Sequence, residues 1–536
     1  MDLTQEVQAW IADDPDPKTA AQLQQWLDSN NKVELRASFN GFLQFGTAGL
    51  RGPIRPGPSG MNRAVVGRTA AGLVAYMKER NLTSVVIGRD ARYGSEDFTF
   101  ETAEIMSGAG MKVYVLPRPL PTPVLAFATN ELKCDVGIMV TASHNPPQDN
   151  GYKVYLGGTV DGIHYRGSQI ISPTDESIAK KIDSITSLAS QPRGKEWTVL
   201  GEEVVHKYVG ITAALAQRPG NLKIVYTAMH GVGTQTLQRV FHKAGFPQPI
   251  LVDAQAQPDP DFPTVAFPNP EEPGAIDLAL ETARTFDADL VIANDPDADR
   301  CAAAVKDPIK GWRMLRGDEL GVILGETIAR ATSKGILANS IVSSSILSKI
   351  AAHYKLEFKE TLTGFKWLAK IDGLTFGYEE ALGYAVDAIT VNDKDGISAA
   401  IKLAQIATDL AAENKTLLDL LDEVWARHGF HATEQISIRL TDLSQVGVIM
   451  GSLRSNSPKE IAGRSVTSID DLANPSDGLP PTDGLRIWLD GGIRIIIRPS
   501  GTEAKMKCYI EAIAKDSATA QTVLDQLRAP LKELLS

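Results

Sequence analysis

The chain has 536 residues, 43% of them apolar and 22% charged, which is the composition of a soluble globular protein rather than a disordered or fibrous one, and its length calls for three or four domains. Net charge is −11, from 65 acidic and 54 basic residues, which argues against a nucleic-acid or acidic-membrane partner because such proteins need a basic field. A small anionic substrate needs only a few focused Arg and Lys and stays open.

Residues 1–6 are acidic, with no basic segment ahead of an apolar one, so no signal peptide is expected. No uncharged apolar run reaches membrane-spanning length. The three cysteines, Cys134, Cys301 and Cys508, are odd in number and scattered, which fits a reducing compartment and buried small hydrophobes. The expectation is a cytoplasmic protein, monomer or homodimer.

The first forty residues, with Trp10 and Trp26 in helical patterns, predict an added helical arm. Gly46-Thr47-Ala48-Gly49-Leu50-Arg51-Gly52 follows, a glycine-rich loop with one Arg. It suits close backbone approach to a phosphate, but it lacks the Gly-Lys-Ser/Thr ending of a P-loop, and a plain turn explains it equally well. A first strand–helix–strand pattern runs from Ser84-Val85-Val86-Ile87 through a helix around Phe98 to Met111–Leu116. An apolar run over 136–140 then ends in Thr141-Ala142-Ser143-His144-Asn145-Pro146. A hydroxyl at the end of a buried strand can be a nucleophile, although Ser, Asn and Pro also make ordinary turns.

A second pattern begins at Leu222-Lys223-Ile224-Val225-Tyr226, crosses Met229-His230-Gly231-Val232-Gly233, and reaches Ile250-Leu251-Val252. An apolar strand over 288–293 then leads into Asn294-Asp295-Pro296-Asp297-Ala298-Asp299-Arg300. Three carboxylates at alternate positions can turn onto one hard cation, Mg²⁺, Mn²⁺ or Ca²⁺ rather than Zn²⁺; without one their repulsion disfavours the arrangement. An EF-hand would need Gly where Arg300 stands and Glu where Lys306 stands. An aspartyl-phosphate enzyme, with an Asp after a strand as nucleophile, is a rival reading.

The third pattern places a strand at Ser340-Ile341-Val342, a loop at 343–345, a helix over 346–353 and a strand reaching Phe358. Gly377-Tyr378-Glu379-Glu380-Ala381 then sets two carboxylates in a Gly-bounded turn, able to accept hydrogen bonds from sugar hydroxyls. Strands alternating with helices predict α/β domains with parallel or mixed sheets. The last hundred residues differ: strands near 434–440, 485–489, 493–497 and Tyr509, a Gly-Gly turn, and a helix from Ser517 predict an α+β domain with an antiparallel sheet. Within it, Arg498-Pro499-Ser500-Gly501-Thr502-Glu503 offers a cation, two hydroxyls and backbone N–H groups, the parts of a phosphate cradle. The expected division is 1–200, 201–312, 313–428 and 429–536: three tandem α/β domains and one α+β domain.

In this order, the Gly-rich Arg loop, Ser-His-Asn-Pro, Asp-x-Asp-x-Asp-Arg, Gly-x-Glu-Glu and Arg-x-Ser-Gly-Thr resemble the α-D-phosphohexomutase family over nearly the whole chain. Residues 45–52, Glu379-Glu380-Ala381 and Asp393-Lys394-Asp395-Gly396 are similar to its branch of type-2 phosphoglucomutases, phosphopentomutases and actinobacterial phosphomannomutase-like proteins. The resemblance implies four domains around a central cleft, with Ser143 as phosphoserine and Asp295, Asp297, Asp299 and the Ser143 phosphate as Mg²⁺ ligands. It implies proton transfer by His144 or Lys153 and steadying of the phosphoryl group by Arg51 and Arg300. Sugar contacts would come from Glu379, Glu380, Thr363, Gly364 and Lys394. The second phosphate would be gripped by Arg498, Ser500, Gly501, Thr502 and Lys507.

Two positions depart from relatives. Ala381 stands where some glucose-specific relatives have Ser, and Lys507 where others have Arg, which alone gives a bidentate fork. The implied activity is movement of a phosphoryl group between the 1- and 6-positions of a hexose phosphate, glucose first, through a sugar bisphosphate such as glucose 1,6-bisphosphate, which also serves as activator. Mannose and pentose phosphates are alternatives. A non-catalytic sugar-phosphate sensor is a remote one.

Overall fold

Residues 2–46, 49–442, 444–499 and 505–535 are described by a computed structural model. They fall into two compact units: residues 1–315, 369–372 and 383–412 form one, and residues 316–368, 373–382 and 413–536 the other.

The first unit opens with the expected helical arm, Leu3–Asp13, Pro17–Asp28 and Lys32–Ser38. Asp2 and Gln5 form a reciprocal cap on the first helix, and Asp16 with Pro17 starts the second. Val7, Leu23 and Leu35 pack with Trp10 and Phe39 into a small core of their own. Next comes a seven-stranded sheet whose main path runs Leu50–Pro53, Asp149–Leu156, Val136–Val140, Ser84–Arg89, Lys112–Val115, Thr198–Val199. Its middle strands are parallel, and Asp149–Leu156 folds back antiparallel on Val136–Val140. All five residues of Val136–Val140 are buried, as a parallel strand covered on both faces must be. A five-stranded sheet follows, with Leu290–Ala293 parallel to Ile224–Thr227 and antiparallel to Ala302–Asp307. Both the serine turn and the acidic loop therefore leave the carboxyl ends of buried strands.

In the second unit, Ile336–Ser340 pairs in parallel with Glu357–Thr361 and Leu374–Glu379. The strand expected at 340–342 lies earlier. Leu337 and Ala338 are its buried apolar residues, whereas Ile341 and Val342 turn onto an apolar cluster with Leu362, Ile496 and Tyr509. A six-stranded antiparallel sheet closes the chain, in the order Phe430–Arg439, Lys505–Ala514, Ile493–Pro499, Leu485–Leu489, Arg464–Asp471, Glu460–Ile461. Helix Ser517–Leu534 buries Ala520, Leu524, Leu527 and Leu531 in its core. The last two strands have no counterpart in the sequence reading. Arg464–Asp471 alternates weakly and none of its residues is buried, so it carries little of the period-two signal.

Among the described residues no helix is long and apolar enough to cross a membrane. All three cysteines are free and buried.

Candidate active site

Ser143 sits in the turn beyond Val136–Val140 and is 3% exposed. Its φ of +52° is left-handed, unusual for a residue with a side chain. The hydroxyl donates to Asp295 Oδ2 at 2.8 Å and lies 3.2 Å from His144 Nδ1. Burial and the nearby Arg300 and Arg51 guanidinium groups hold His144 well below the ordinary imidazole range, so its ring is neutral near pH 7. Arg51, on the strand Leu50–Pro53, reaches the same turn through Nη1, 3.3 Å from Asn145 Oδ1.

The acidic loop follows Leu290–Ala293, and Ala298 at φ +53° bends it. Asp295, Asp297 and Asp299 are fully buried and each places a carboxylate oxygen within 4.8 Å of the others. Lys153, on the strand Asp149–Leu156, donates to Asp297 Oδ2 at 2.7 Å and Asp299 Oδ2 at 3.0 Å. Lys394 Nζ is also 3.0 Å from Asp299 Oδ2. Against the cost of burial, Lys153, Lys394 and Arg300 hold Asp299 below the carboxylate range. Burial and then the two sister aspartates push Asp295 up to about 8.

Asp297 Oδ1 and Asp299 Oδ1 are buried without a hydrogen-bond partner. Buried carboxylate oxygens left bare are costly, and an all-oxygen set fits a hard divalent cation. The triad can hold a metal ion. Arg300 extends from the same loop, with its backbone N–H on Asp295 Oδ1 at 3.0 Å and its Nε 4.0 Å from Asp295 Oδ2. Lys394 is placed by close backbone packing: Gly396 N donates to Ala298 O at 3.2 Å, and a Cβ at Gly396 would lie 2.1 Å from Arg300 O. Only glycine fits there.

One contact was not foreseen. Thr122, at the start of the helix Thr122–Glu131, grips the acidic loop twice, with Oγ1 on Asp297 Oδ2 at 2.5 Å and its backbone N–H on Asp297 O at 2.9 Å. The only sequence signal was a threonine between prolines at a helix start.

Of the residues expected at the sugar and the second phosphate, Thr363, Gly364, Glu379, Glu380, Arg498 and Lys507 lie in the second unit and Lys394 in the first. Glu379 Oε1 accepts from Gly364 N at 2.6 Å, so Gly364, with Thr363 beside it, and Glu379 share one turn region. Glu380 Oε2 instead accepts from Ser343 Oγ at 3.0 Å and Ser340 Oγ at 3.2 Å. Arg498 lies opposite Lys507 in the antiparallel ladder. Ser500, Gly501 and Thr502 lie outside the described residues.

Burial and the adjacent Glu379 push Glu380 up to about 7. A carboxyl raised in the folded state stabilises fully below its unfolded pKa, and that contribution is lost as pH rises through the folded pKa. Wild type should therefore lose about 1–3 kcal/mol relative to Glu380→Gln between about pH 4.5 and 7. Urea titrations of both proteins across that range measure it; parallel profiles would show that Glu380 does not titrate there.

Three α/β sheets in tandem, closed by an antiparallel sheet, carry these residues. The sequence matches the phosphoglucomutase/phosphomannomutase α/β/α domains I, II and III over residues 43–189, 204–311 and 316–428, and the C-terminal domain over 452–529. It is 48% identical over 483 residues to a probable phosphomannomutase of Haemophilus influenzae, covering 89% of this chain and 98% of that one. Identity is 33% over 597 residues with the phosphopentomutase of Mus musculus, covering 99% and 94%. The fold is similar to the crystal structure of a putative phosphomannomutase from Thermus thermophilus, with a TM-score of 0.69, 22% identity, and 91% and 99% coverage. The chain belongs to the phosphoglucomutase/phosphomannomutase family, and its activity is that of an intramolecular phosphotransferase.

Proposed function

We propose that the enzyme interconverts the 1- and 6-phosphates of a hexose, glucose 1-phosphate and glucose 6-phosphate first, through a phosphoserine at 143 and a sugar bisphosphate. The observation that carries this reading is the Ser143 hydroxyl, 2.8 Å from a carboxylate of a buried three-aspartate cluster. A buried serine donating to such a cluster is placed to carry a phosphoryl group beside a cation.

Asp295, Asp297, Asp299 and the oxygen on Ser143 are the proposed Mg²⁺ ligands; when bound there, the ion neutralises charge on the phosphoryl oxygens. Arg51 and Arg300 add fixed positive charge around Ser143. Neutral His144, 3.2 Å from the serine oxygen, can accept a proton, whereas Lys153 is held charged by Asp297 and Asp299 against the cost of burial and suits donation and charge stabilisation. This favours His144 as base and Lys153 as electrostatic partner.

Glu379, with Thr363 and Gly364, is proposed to bind sugar hydroxyls, Lys394 to contact the same substrate, and Glu380 to support Glu379 from its two serines. Arg498, Ser500, Gly501, Thr502 and Lys507 would take the phosphate that does not react. Glucose 1,6-bisphosphate would rephosphorylate Ser143 after any loss and so act as activator.

The substrate is tested by turnover of glucose 1-phosphate, mannose 1-phosphate and ribose 1-phosphate under identical Mg²⁺ and bisphosphate. Ala381 offers the sugar no hydroxyl, so the preference for glucose over mannose should be graded, within about 100-fold. Fastest turnover of ribose 1-phosphate would make the enzyme a phosphopentomutase instead.

A further inference from the structure

Arg92 takes no part in the chemistry above, yet it is 4% exposed and its guanidinium is surrounded by backbone carbonyls of the serine turn. Nη2 donates to Ser143 O and Asn145 O, both at 2.6 Å, and Nη1 to Pro146 O at 2.8 Å and Asp149 O at 3.2 Å. Asp90 Oδ2 lies 3.3 Å from Arg92 Nε and accepts from Thr141 Oγ1 at 2.6 Å, and Thr141 Oγ1 in turn accepts from Ser143 N at 2.9 Å. The Asp90–Arg92 pair thus holds the Ser143 residue from both sides, its N–H through Thr141 and its C=O directly. A non-glycine residue in the left-handed region costs roughly 1–2 kcal/mol, so the turn relaxes unless something holds it.

The other face of the guanidinium is covered by Phe262, with the ring centroid 4.8 Å from the guanidinium carbon. Phe262 is 3% exposed and has φ +45°. A bulky aromatic in that region is an outlier that surrounding structure must enforce. Here the enforcement comes from Asp259, whose carbonyl accepts from Phe262 N at 3.2 Å and whose carboxylate accepts from Asp261 N at 3.0 Å, and from the Tyr93 hydroxyl on Asp261 Oδ2 at 3.1 Å. The chain spends backbone strain to put one ring on one guanidinium.

We infer that Arg92 and Phe262 are positioning residues for the phosphoryl step: Arg92 clamps the serine turn left-handed so that the Ser143 oxygen faces Asp295, and Phe262 fixes the clamp. Four carbonyls in different directions need the planar fork, which a lysine ammonium cannot reproduce. The inference rests on Ser143 being the phosphoryl carrier.

The test is a double-mutant cycle of Arg92→Lys and Phe262→Leu in the full-length enzyme with saturating Mg²⁺ and glucose 1,6-bisphosphate, reading kcat and KM separately, with intact mass reporting phosphate on Ser143. Arg92→Lys should lower kcat about 100-fold with KM within about threefold, since misplacing the reacting atom costs turnover and not binding. Phe262→Leu should lower kcat about 3- to 10-fold through the lost cation–π contact, and should add nothing in the Arg92→Lys background because it acts through the guanidinium. Additive effects, a wild-type kcat in either variant, or a rise in KM alone would overturn the clamp. If Arg92→Lys does not fold, the kcat and KM of Phe262→Leu decide the matter. A wild-type enzyme active without phosphate on Ser143 would instead remove the phosphoserine reading itself.

Discussion

Ser143→Ala is expected to lower mutase turnover by at least about four orders of magnitude, the loss that follows when a nucleophile is deleted, while the protein still folds. The hydroxyl makes one strong contact, to Asp295 at 2.8 Å, and a longer one to His144. The turn itself is held by backbone groups: Ser143 N on Thr141 Oγ1 and Ser143 O on Arg92. Alanine keeps all of these, so melting temperature should move by only a few degrees. Sugar-phosphate affinity, measured calorimetrically, should stay near wild type because the removed atom belongs to the reacting centre. Near-normal turnover in this variant would remove Ser143 from the chemistry.

Asp295→Asn should lower turnover about a thousandfold or more, by loss of a charged ligand and of the serine's acceptor, and should have the opposite effect on metal-free stability. Three buried carboxylates within 4.8 Å repel one another, and asparagine relieves one of them while its Oδ1 can still accept from Arg300 N. After chelation the variant should melt at or above wild type. Adding Mg²⁺ should then stabilise wild type, by about 2.7 kcal/mol at one hundred times its Kd, and the variant much less. Equal Mg²⁺ stabilisation of both proteins would show that Asp295 is no ligand. At Asp297 or Asp299 the same change would confound stability with catalysis, because both are paired with Lys153 and removal of either would leave a buried ammonium short of a partner.

Legibility in the sequence followed the strength of local patterning. The buried runs 136–140 and 290–293, each ending in a polar turn, were readable because parallel strands covered on both faces are continuously apolar, and they located both halves of the serine–aspartate contact. The helix Ile346–His353 was readable from its apolar spacing, but the strand before it was shifted, because the β-branched Ile341 and Val342 pack between layers and do not extend the ladder. The strand Arg464–Asp471, next to the edge of its sheet, was invisible for lack of a buried face.

At the site, residues carrying charge in a repeated pattern could be named. Thr122, Arg92 and Phe262 could not, since each acts through contacts 51 to 175 residues away or through a backbone angle that no side-chain pattern reveals. Glu380 was paired in sequence with Glu379, yet the two carboxylates part: one meets Gly364 and the other two serines. That division comes from the strand Leu374–Glu379 ending between them, a boundary that spacing alone did not mark.

The most direct test of the central claim is to incubate the enzyme with Mg²⁺ and glucose 1,6-bisphosphate labelled with ³²P, quench in acid, and map the labelled peptide by mass spectrometry. The predicted result is acid-stable phosphate on Ser143 that passes to unlabelled glucose 1-phosphate or glucose 6-phosphate when either is added back. Turnover without label on Ser143, or label found on Asp295 as an acyl phosphate that hydroxylamine removes, would contradict it.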